Sequence, residues 1–260
     1  GPNGKLSKRD GAKYGFPVFA MNWKDPKTGD LTEGFRERGF LPEAFVNMLA
    51  MLGWNDGTDQ ELFSLNELVQ KFSIERVHSA GAKFDFEKAR WFNHEWMKRM
   101  SDKEAGGELL RQYMDYIYKT EGITMEASSE LVDQCTRIAG MVKERCTLLQ
   151  DLWAQASFFF ITPKDIDAAA VKSKWNEAKV QFFTEFQKEL DSLPEWSSAF
   201  IEAAFKNFAT SCSIKPGELQ LPLRIMLVGG KFGPPVFDIA EVLGREETIN
   251  RIAKALPQFS

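Results

Sequence analysis

Apolar residues recur every three or four positions from residue 42 to the end of the chain, which is the spacing of one helix face. The first such segment follows Leu41 and ends before Gly53, a residue type that commonly stops helices. Two later segments start with Ser64–Glu67 and Ser101–Glu104, and both have the spacing of a capping box. This pattern predicts a mainly α-helical protein.

Further helical segments are expected along the rest of the chain. Asp85 can cap a helix over Phe86–Met97, and one long amphipathic stretch covers Ser128–Leu152. Thr162–Pro163 has the residue types of an N-cap and a first helical position. Leu219–Val228 fits either a strand or a buried helix, because periodicity does not separate the two for a short apolar run.

The part of the chain before residue 42 has a different pattern. Phe16–Met21 is a short apolar run, and Asp25–Asp30 has the residues of a turn or hairpin tip. We therefore expect a mixture of strand and turn here, ahead of the helices.

Length and composition place the chain among folded proteins. It has 260 residues, of which 43% are hydrophobic, so it can bury the cores of two or three packed units. No apolar run approaches the roughly 20 residues that span a bilayer, and the N-terminus is polar and basic where a signal peptide would be apolar. We therefore predict a cytoplasmic protein with no membrane partner.

The charge and the cysteines restrict the partners further. A formal net charge of −4 argues against indiscriminate binding to DNA or RNA, so an RNA partner would have to be attracted by local basic patches. The three cysteines, Cys135, Cys146 and Cys212, lack the CxxC spacing of metal sites. We expect buried free thiols and no metal site.

Few residues offer catalytic chemistry. His78 and His94 are the only histidines, and neither has a second histidine or a nucleophile at a recognised spacing, so surface or packing roles are favoured. The opening loop Lys5–Gly11 could neutralise charge on a polyphosphate during phosphoryl or nucleotidyl transfer. The alternative is a solvated basic terminus.

The order of the motifs is more specific than any one of them. KLSKR occupies Lys5–Arg9, and GFLPEAFVNMLAMLGW ends the stretch Gly34–Trp54. The other stretches that belong to this succession are Glu61–Phe72, Ile74–Val77, Ala82–Lys88, Trp91–Asn93, Lys143–Leu148, Phe158–Phe160, Pro222–Gly229 and Glu241–Arg245. Together they resemble the bacterial-type glutamyl-tRNA synthetases, a family of class I aminoacyl-tRNA synthetases, from the KMSKS-like loop onward. The resemblance covers essentially the whole chain and is strongest over residues 5–97.

The resemblance implies an architecture. It is a small mixed α/β stem-contact region followed by an all-helical anticodon-binding domain in two subdomains. Residues 1–97 would hold the KMSKS-like loop and the stem-contact domain, residues 98–160 the first helical subdomain and residues 161–260 the second. Glutaminyl enzymes carry β-barrels at this end, so the helical periodicity favours the glutamyl branch.

The resemblance also implies an activity. Enzymes of this family activate glutamate with ATP and Mg²⁺ and attach it to tRNA(Glu) for protein synthesis. By resemblance, Lys8 contacts ATP and stabilises charge on the departing pyrophosphate, and Lys5, Leu6, Ser7 and Arg9 complete the catalytic loop. The chain lacks the closely spaced histidines of the HIGH-like motif. We therefore expect the C-terminal portion of such an enzyme, inactive by itself and without a bound cofactor, with glutamate and ATP as ligands of the full-length enzyme only.

Contacts with tRNA are expected in the helical part. Unpaired bases are read by stacking and by hydrogen bonds to their edges, which suits Arg145, with Lys143 beside it. Arg224 is the next candidate, and Lys231 is a candidate phosphate contact; for each arginine the alternative is a structural salt bridge. The whole chain could instead be a helical protein-interaction module derived from a synthetase tail, which would show no preference among tRNAs.

Overall fold

The computed structural model describes residues 15–78, 82 and 84–259, and they form two compact units divided between Ala154 and Gln155. The fold is mainly helical, as predicted, and the described residues contain one two-stranded sheet. Within these residues no helix combines the length and the apolar character needed to cross a bilayer.

The hairpin predicted before residue 42 is present. Strands β1 (Trp23–Lys24) and β2 (Leu31–Thr32) pair in antiparallel fashion. Asp25 shapes the turn between them, since its Oδ1 atom accepts hydrogen bonds from the backbone N–H groups of Lys27 at 2.7 Å and Thr28 at 3.3 Å.

The apolar run Phe16–Met21 forms no strand, contrary to expectation. The carbonyl of Phe19 instead accepts a hydrogen bond from the N–H of Phe35 at 2.9 Å, and that of Ala20 accepts one from Arg36 at 3.0 Å. Two isolated contacts of this kind hold the run against the next segment without forming a ladder.

The first unit is built from helices that bury one face each. They are α1 (Pro42–Met51), α2 (Leu65–Lys71), α3 (Phe86–Arg99), α4 (Asp102–Glu121), α5 (Ser129–Val142) and the start of α6 (Asp151–Ala156). Helices α4 and α5 approach closely at Gly106, where an added Cβ would lie 2.5 Å from the Cα atom of Thr136.

The helix starts of this unit follow the sequence signals. Ser64 accepts a hydrogen bond from the N–H of Glu67 at 3.2 Å, and the Glu67 carboxylate accepts one from the N–H of Ser64 at 2.7 Å. Ser101 and Glu104 make the same pair of bonds at 3.2 and 2.9 Å. Both predicted capping boxes are therefore confirmed, and each satisfies N–H groups that the first helical turn leaves free.

The prediction of one long helix over Ser128–Leu152 was wrong. Helix α5 ends at Val142, and a 3-10 turn over Lys143–Arg145 leads to extended backbone at Cys146. Side chains from distant parts of the sequence hold the backbone after this turn, so the apolar spacing gave no sign of the break.

The second unit contains five further α-helices in its described residues. They are α7 (Glu177–Asp191), α8 (Ser198–Ser211), α9 (Pro216–Val228), α10 (Val236–Leu243) and α11 (Arg245–Ala255). Shorter 3-10 segments are Ser157–Phe159, Ala168–Lys174 and Leu256–Phe259. The segment Leu219–Val228, left open above, is part of helix α9.

No helix begins at Thr162–Pro163, so that expectation was also wrong. The Thr162 hydroxyl instead donates a hydrogen bond of 2.8 Å to the carboxylate of Glu247 on α11. A tertiary contact uses the side chain that would have capped the helix.

The core of the second unit is a cluster of phenylalanine rings. The ring of Phe205 on α8 lies 5.6 Å from that of Phe182, 5.4 Å from that of Phe186 and 5.3 Å from that of Phe237, measured between centroids. All three contacts are edge-on, a favourable arrangement for aromatic rings. Phe205 thus joins helices α7, α8 and α10.

We predict that Phe205→Ala lowers the free energy of unfolding by about 3–5 kcal/mol, because it removes a fully buried ring and leaves a cavity. Phe200→Ala on the same helix is the matched control. The Phe200 ring is 42% exposed, so its loss should cost about 1 kcal/mol or less. Urea denaturation followed by circular dichroism measures both, and similar losses in the two variants would contradict the assignment of the core.

Candidate nucleic-acid interface

The KMSKS-like loop lies outside the described residues. The roles inferred for Lys5, Leu6, Ser7, Lys8 and Arg9 stay predictions. The candidates in the helical part, in contrast, all have described positions.

Arg145 ends the 3-10 turn between α5 and α6, and its side chain is exposed. Its Nη1 atom donates a hydrogen bond of 3.1 Å to the carbonyl of Met141. Among the residues that the structure describes, no carboxylate forms an ion pair with this guanidinium. The salt bridge considered as the alternative for Arg145 is therefore not formed within the described part of the chain, and the residue is exposed.

Lys143 begins the same turn but points inward. Its Nζ atom donates a hydrogen bond of 2.5 Å to the carbonyl of Met100 and lies 2.7 Å from Oδ1 of Asp102, with only 13% of the side chain exposed. The ammonium thus satisfies a carbonyl just past the end of α3 and pairs with an acid in the first turn of α4. These bonds fix the turn that carries Arg145.

The backbone after Arg145 is held by side chains. Asn93 Nδ2 donates a hydrogen bond of 2.5 Å to the carbonyl of Thr147, and Nδ1 of His94 lies 2.8 Å from the carbonyl oxygen of Cys146. The carboxylate of Asp151 accepts the N–H groups of Thr147 and Leu148, both at 2.8 Å. The position of the Arg145 backbone is therefore fixed from several sides.

The sequence assigned no site role to Asn93 or His94, although Asn93 stands in one of the motifs that carry the family resemblance. A signal was present, because the two polar residues are adjacent on a helix that is otherwise amphipathic. Their partners are more than fifty positions away along the chain. Local patterns could not reveal those contacts.

Arg224 on α9 serves the loop that follows its own helix. Its Nη1 atom donates to the carbonyls of Phe232 at 3.0 Å, Gly233 at 3.2 Å and Pro234 at 2.6 Å. The guanidinium thereby pairs backbone carbonyls that no helix satisfies. Lys231, in that same loop, is 59% exposed, and its Nζ atom lies 3.6 Å from Oδ2 of Asp167.

Two grooves on the surface of the first unit lack the net positive charge that attracts a phosphate backbone. A groove of about 760 Å³ contains Arg36, Arg111 and Lys119, but acidic partners balance them within the same lining. A second groove, of about 600 Å³, has no charged lining residue and exposes Leu65 and Val69. In the described parts of the chain no group of three metal-ligating side chains occurs.

The sequence matches two known family profiles. The profile described as "Anticodon binding domain" matches residues 86–256, which include the Arg145 turn and α9. The chain belongs to the anticodon-binding domain family. The profile described as "tRNA synthetases class I (E and Q), catalytic domain" matches residues 3–91.

Relatives of this chain include glutamate–tRNA ligases. The enzyme of Porphyromonas gingivalis strain W83 is 45% identical over 254 residues, and that of Flavobacterium johnsoniae is 44% identical over 254 residues. Each alignment covers 98% of this chain and 48% of the relative. The chain therefore spans about half the length of the curated relatives that it matches.

Solved structures of glutamate–tRNA ligases also match this chain. A glutamate tRNA ligase of Elizabethkingia meningosepticum, crystallised in complex with its amino acid, matches with a TM-score of 0.86 and 38% identity over 99% of this chain and 49% of that one. The glutamate–tRNA synthetase of Elizabethkingia anophelis matches with a TM-score of 0.81 and 38% identity, over 98% of this chain and 48% of its own.

The thiol beside Arg145 offers a test of how firmly the turn is held. Burial, with a smaller contribution from Asp151, raises the pKa of Cys146 to about 12, and burial raises that of Cys135 to about 11. At pH 8 the thiolate fraction at Cys146 is then about 10⁻⁴, whereas Cys212 is only half-buried.

We predict that iodoacetamide at pH 8 modifies Cys212 in the native chain and leaves Cys135 and Cys146 unmodified. Mass spectrometry of tryptic peptides measures the modification, and a sample in 6 M guanidinium, in which all three thiols should react, is the control. Rapid native labelling of Cys146 would contradict a firmly held turn.

Proposed function

We propose that this chain is the tRNA-binding part of a glutamate–tRNA ligase and that it recognises the anticodon of tRNA(Glu). The observation that carries the proposal is the Arg145 turn, which presents an exposed guanidinium next to backbone that side chains hold by partly buried hydrogen bonds. The turn lies in the span that matches the anticodon-binding family.

The chemistry of arginine suits this task. A guanidinium stacks on a base and donates hydrogen bonds to base edges in a fixed planar geometry. The exposed donors of Arg145 are available for both interactions. Because the backbone is already ordered, binding loses less conformational entropy than it would with a mobile loop.

We infer the roles of the other candidates from the contacts that each of them makes. We propose that Lys143 and Arg224 support the fold, since an RNA contact would require each to release buried or backbone partners. Lys231 remains a proposed phosphate contact, because its ion pair with Asp167 is long and exposed and such pairs contribute little.

The remaining steps belong to the proposed full-length ligase. There, ATP with Mg²⁺ is the co-substrate that activates glutamate, and Lys8 of the loop Lys5–Arg9 would neutralise charge on pyrophosphate. We propose that residues 1–97 form the stem-contact part and that the two helical subdomains follow at residues 98–160 and 161–260. We also propose that the full-length ligase works in the cytoplasm, as expected for an enzyme of translation.

The alternative function is a helical protein-interaction module. The uncharged apolar groove of the first unit is the observation that favours it. Such a module needs no discrimination between anticodons, so one titration separates the two functions.

We predict that the chain binds tRNA(Glu) more tightly than a version with an exchanged anticodon at the same salt concentration. Phosphate contacts alone would not distinguish the two RNAs. Fluorescence anisotropy measures both dissociation constants. Equal affinities, or no binding, would favour the protein-interaction module.

Arg145→Ala should remove about 1–3 kcal/mol of that preference, because it deletes the stacking and base-edge contacts. Arg90→Ala on α3 is the charge control. Arg90 is also exposed, and the substitution removes one positive charge from the same unit. It should change the two affinities equally. A preference that survives in Arg145→Ala would exclude Arg145 as a base-reading residue.

We also predict no glutamate-dependent exchange of pyrophosphate into ATP by the isolated chain. Neither histidine is free for a HIGH-like pair, because His78 bonds Asn55 at 3.0 Å and His94 lies against Cys146. A full-length relative provides the positive control. Pyrophosphate exchange above background would refute the proposal that the isolated chain does not activate glutamate.

A further inference from the structure

Asn93 is fully buried and all of its polar atoms are used. Its Oδ1 atom accepts a hydrogen bond of 2.7 Å from the N–H of Leu41, and its Nδ2 atom donates to the carbonyls of Gly39 at 3.2 Å and Thr147 at 2.5 Å. One amide on α3 therefore holds the segment that leads into α1 and the segment that follows Arg145.

The adjacent residue acts on the same segment. His94 places Nδ1 2.8 Å from the carbonyl oxygen of Cys146, so two consecutive helix residues hold two consecutive carbonyls just after Arg145. The N–H groups of this segment are held separately by Asp151. The segment has little freedom to shift unless these side chains release it.

The two sets of partners lie in different family matches. Gly39 and Leu41 fall within residues 3–91, which match the class I catalytic-domain profile, and Thr147 falls within residues 86–256, which match the anticodon-binding profile. The bonds of Asn93 thus join backbone from both matches inside one compact unit.

We propose that Asn93 and His94 are positioning residues that hold the Arg145 turn in the geometry that reads an anticodon base, an inference that rests on the proposed function. Stacking and base-edge hydrogen bonds are directional, so a displaced guanidinium loses discrimination before it loses its attraction for phosphate. The two side chains act through the backbone and do not contact the RNA.

A purely structural role is the competing explanation, and it makes a different prediction. Loss of packing lowers the melting temperature and leaves the ratio of the two tRNA affinities unchanged. Loss of positioning lowers that ratio. The ratio between tRNA(Glu) and its anticodon-exchanged version is therefore the decisive measurement.

The experiment uses the 260-residue chain and substitutions at its two histidines. His94→Ala removes the contact with Cys146, and we expect it to reduce the anticodon preference about threefold to tenfold. His94→Asn offers a polar atom at a position like that of Nδ1 and should restore most of the preference. His78→Ala, at the exposed histidine, should leave it unchanged.

Two further variants complete the design. In an Arg145→Ala background, His94→Ala should cause no additional loss of preference, because it acts through Arg145. Asn93→Asp keeps an acceptor for Leu41 and loses the two donors, so it should also lower the ratio if urea denaturation shows it folded. The His94 series does not depend on that variant.

The outcomes separate this inference from the proposed function. A wild-type chain without anticodon preference overturns both. A wild-type preference that Arg145→Ala abolishes and His94→Ala leaves intact overturns the positioning role alone. An additional loss in the double variant would mean that His94 acts independently of Arg145, and this would also overturn it.

Discussion

Backbone groups that lie between helices must find hydrogen-bond partners, and long polar side chains supply them throughout this chain. In the first unit, Asn93 pairs backbone from two distant segments. In the second unit, the guanidinium of Arg251, only 2% exposed, donates to the carbonyls of Phe158 and Leu227 and pairs with Glu247. These bonds hold the backbone at residues 39–41, 147, 158 and 227.

Arg145 makes fewer contacts within the described residues than the arginines that hold several backbone carbonyls. Arg251 and Arg224 donate hydrogen bonds to carbonyls within the fold. Within the residues that the structure describes, the guanidinium of Arg145 bonds the carbonyl of Met141 alone, and its side chain is exposed. Many exposed cations of the described residues are paired with acids on their own helix, as Lys98 is with Glu95. Because the chain carries a formal net charge of −4, we expect RNA to be attracted by local groups of exposed cations and not by the surface as a whole.

Some elements could be predicted from sequence because their cause is local. The two capping boxes place serine and glutamate three residues apart, and the bonds they make involve no other part of the chain. The break after Val142 and the missing helix at Pro163 could not be predicted in this way. In both places a side chain bonds a distant partner, and tertiary contacts of this kind override local helix propensity.

The sequence by itself determined the helical class, the helix starts at Ser64 and Ser101, and the family, because periodicity, caps and the order of motifs are properties of neighbouring residues. Only the tertiary structure shows which contacts each cationic candidate makes within the fold. The sequence favours Arg145, with Lys143 beside it, over Arg224, but it does not show their contacts. In the fold, Lys143 bonds the carbonyl of Met100, and Arg224 bonds carbonyls of the loop that follows its own helix. Those carbonyls are brought within reach by folding, and no local pattern encodes the distance between them.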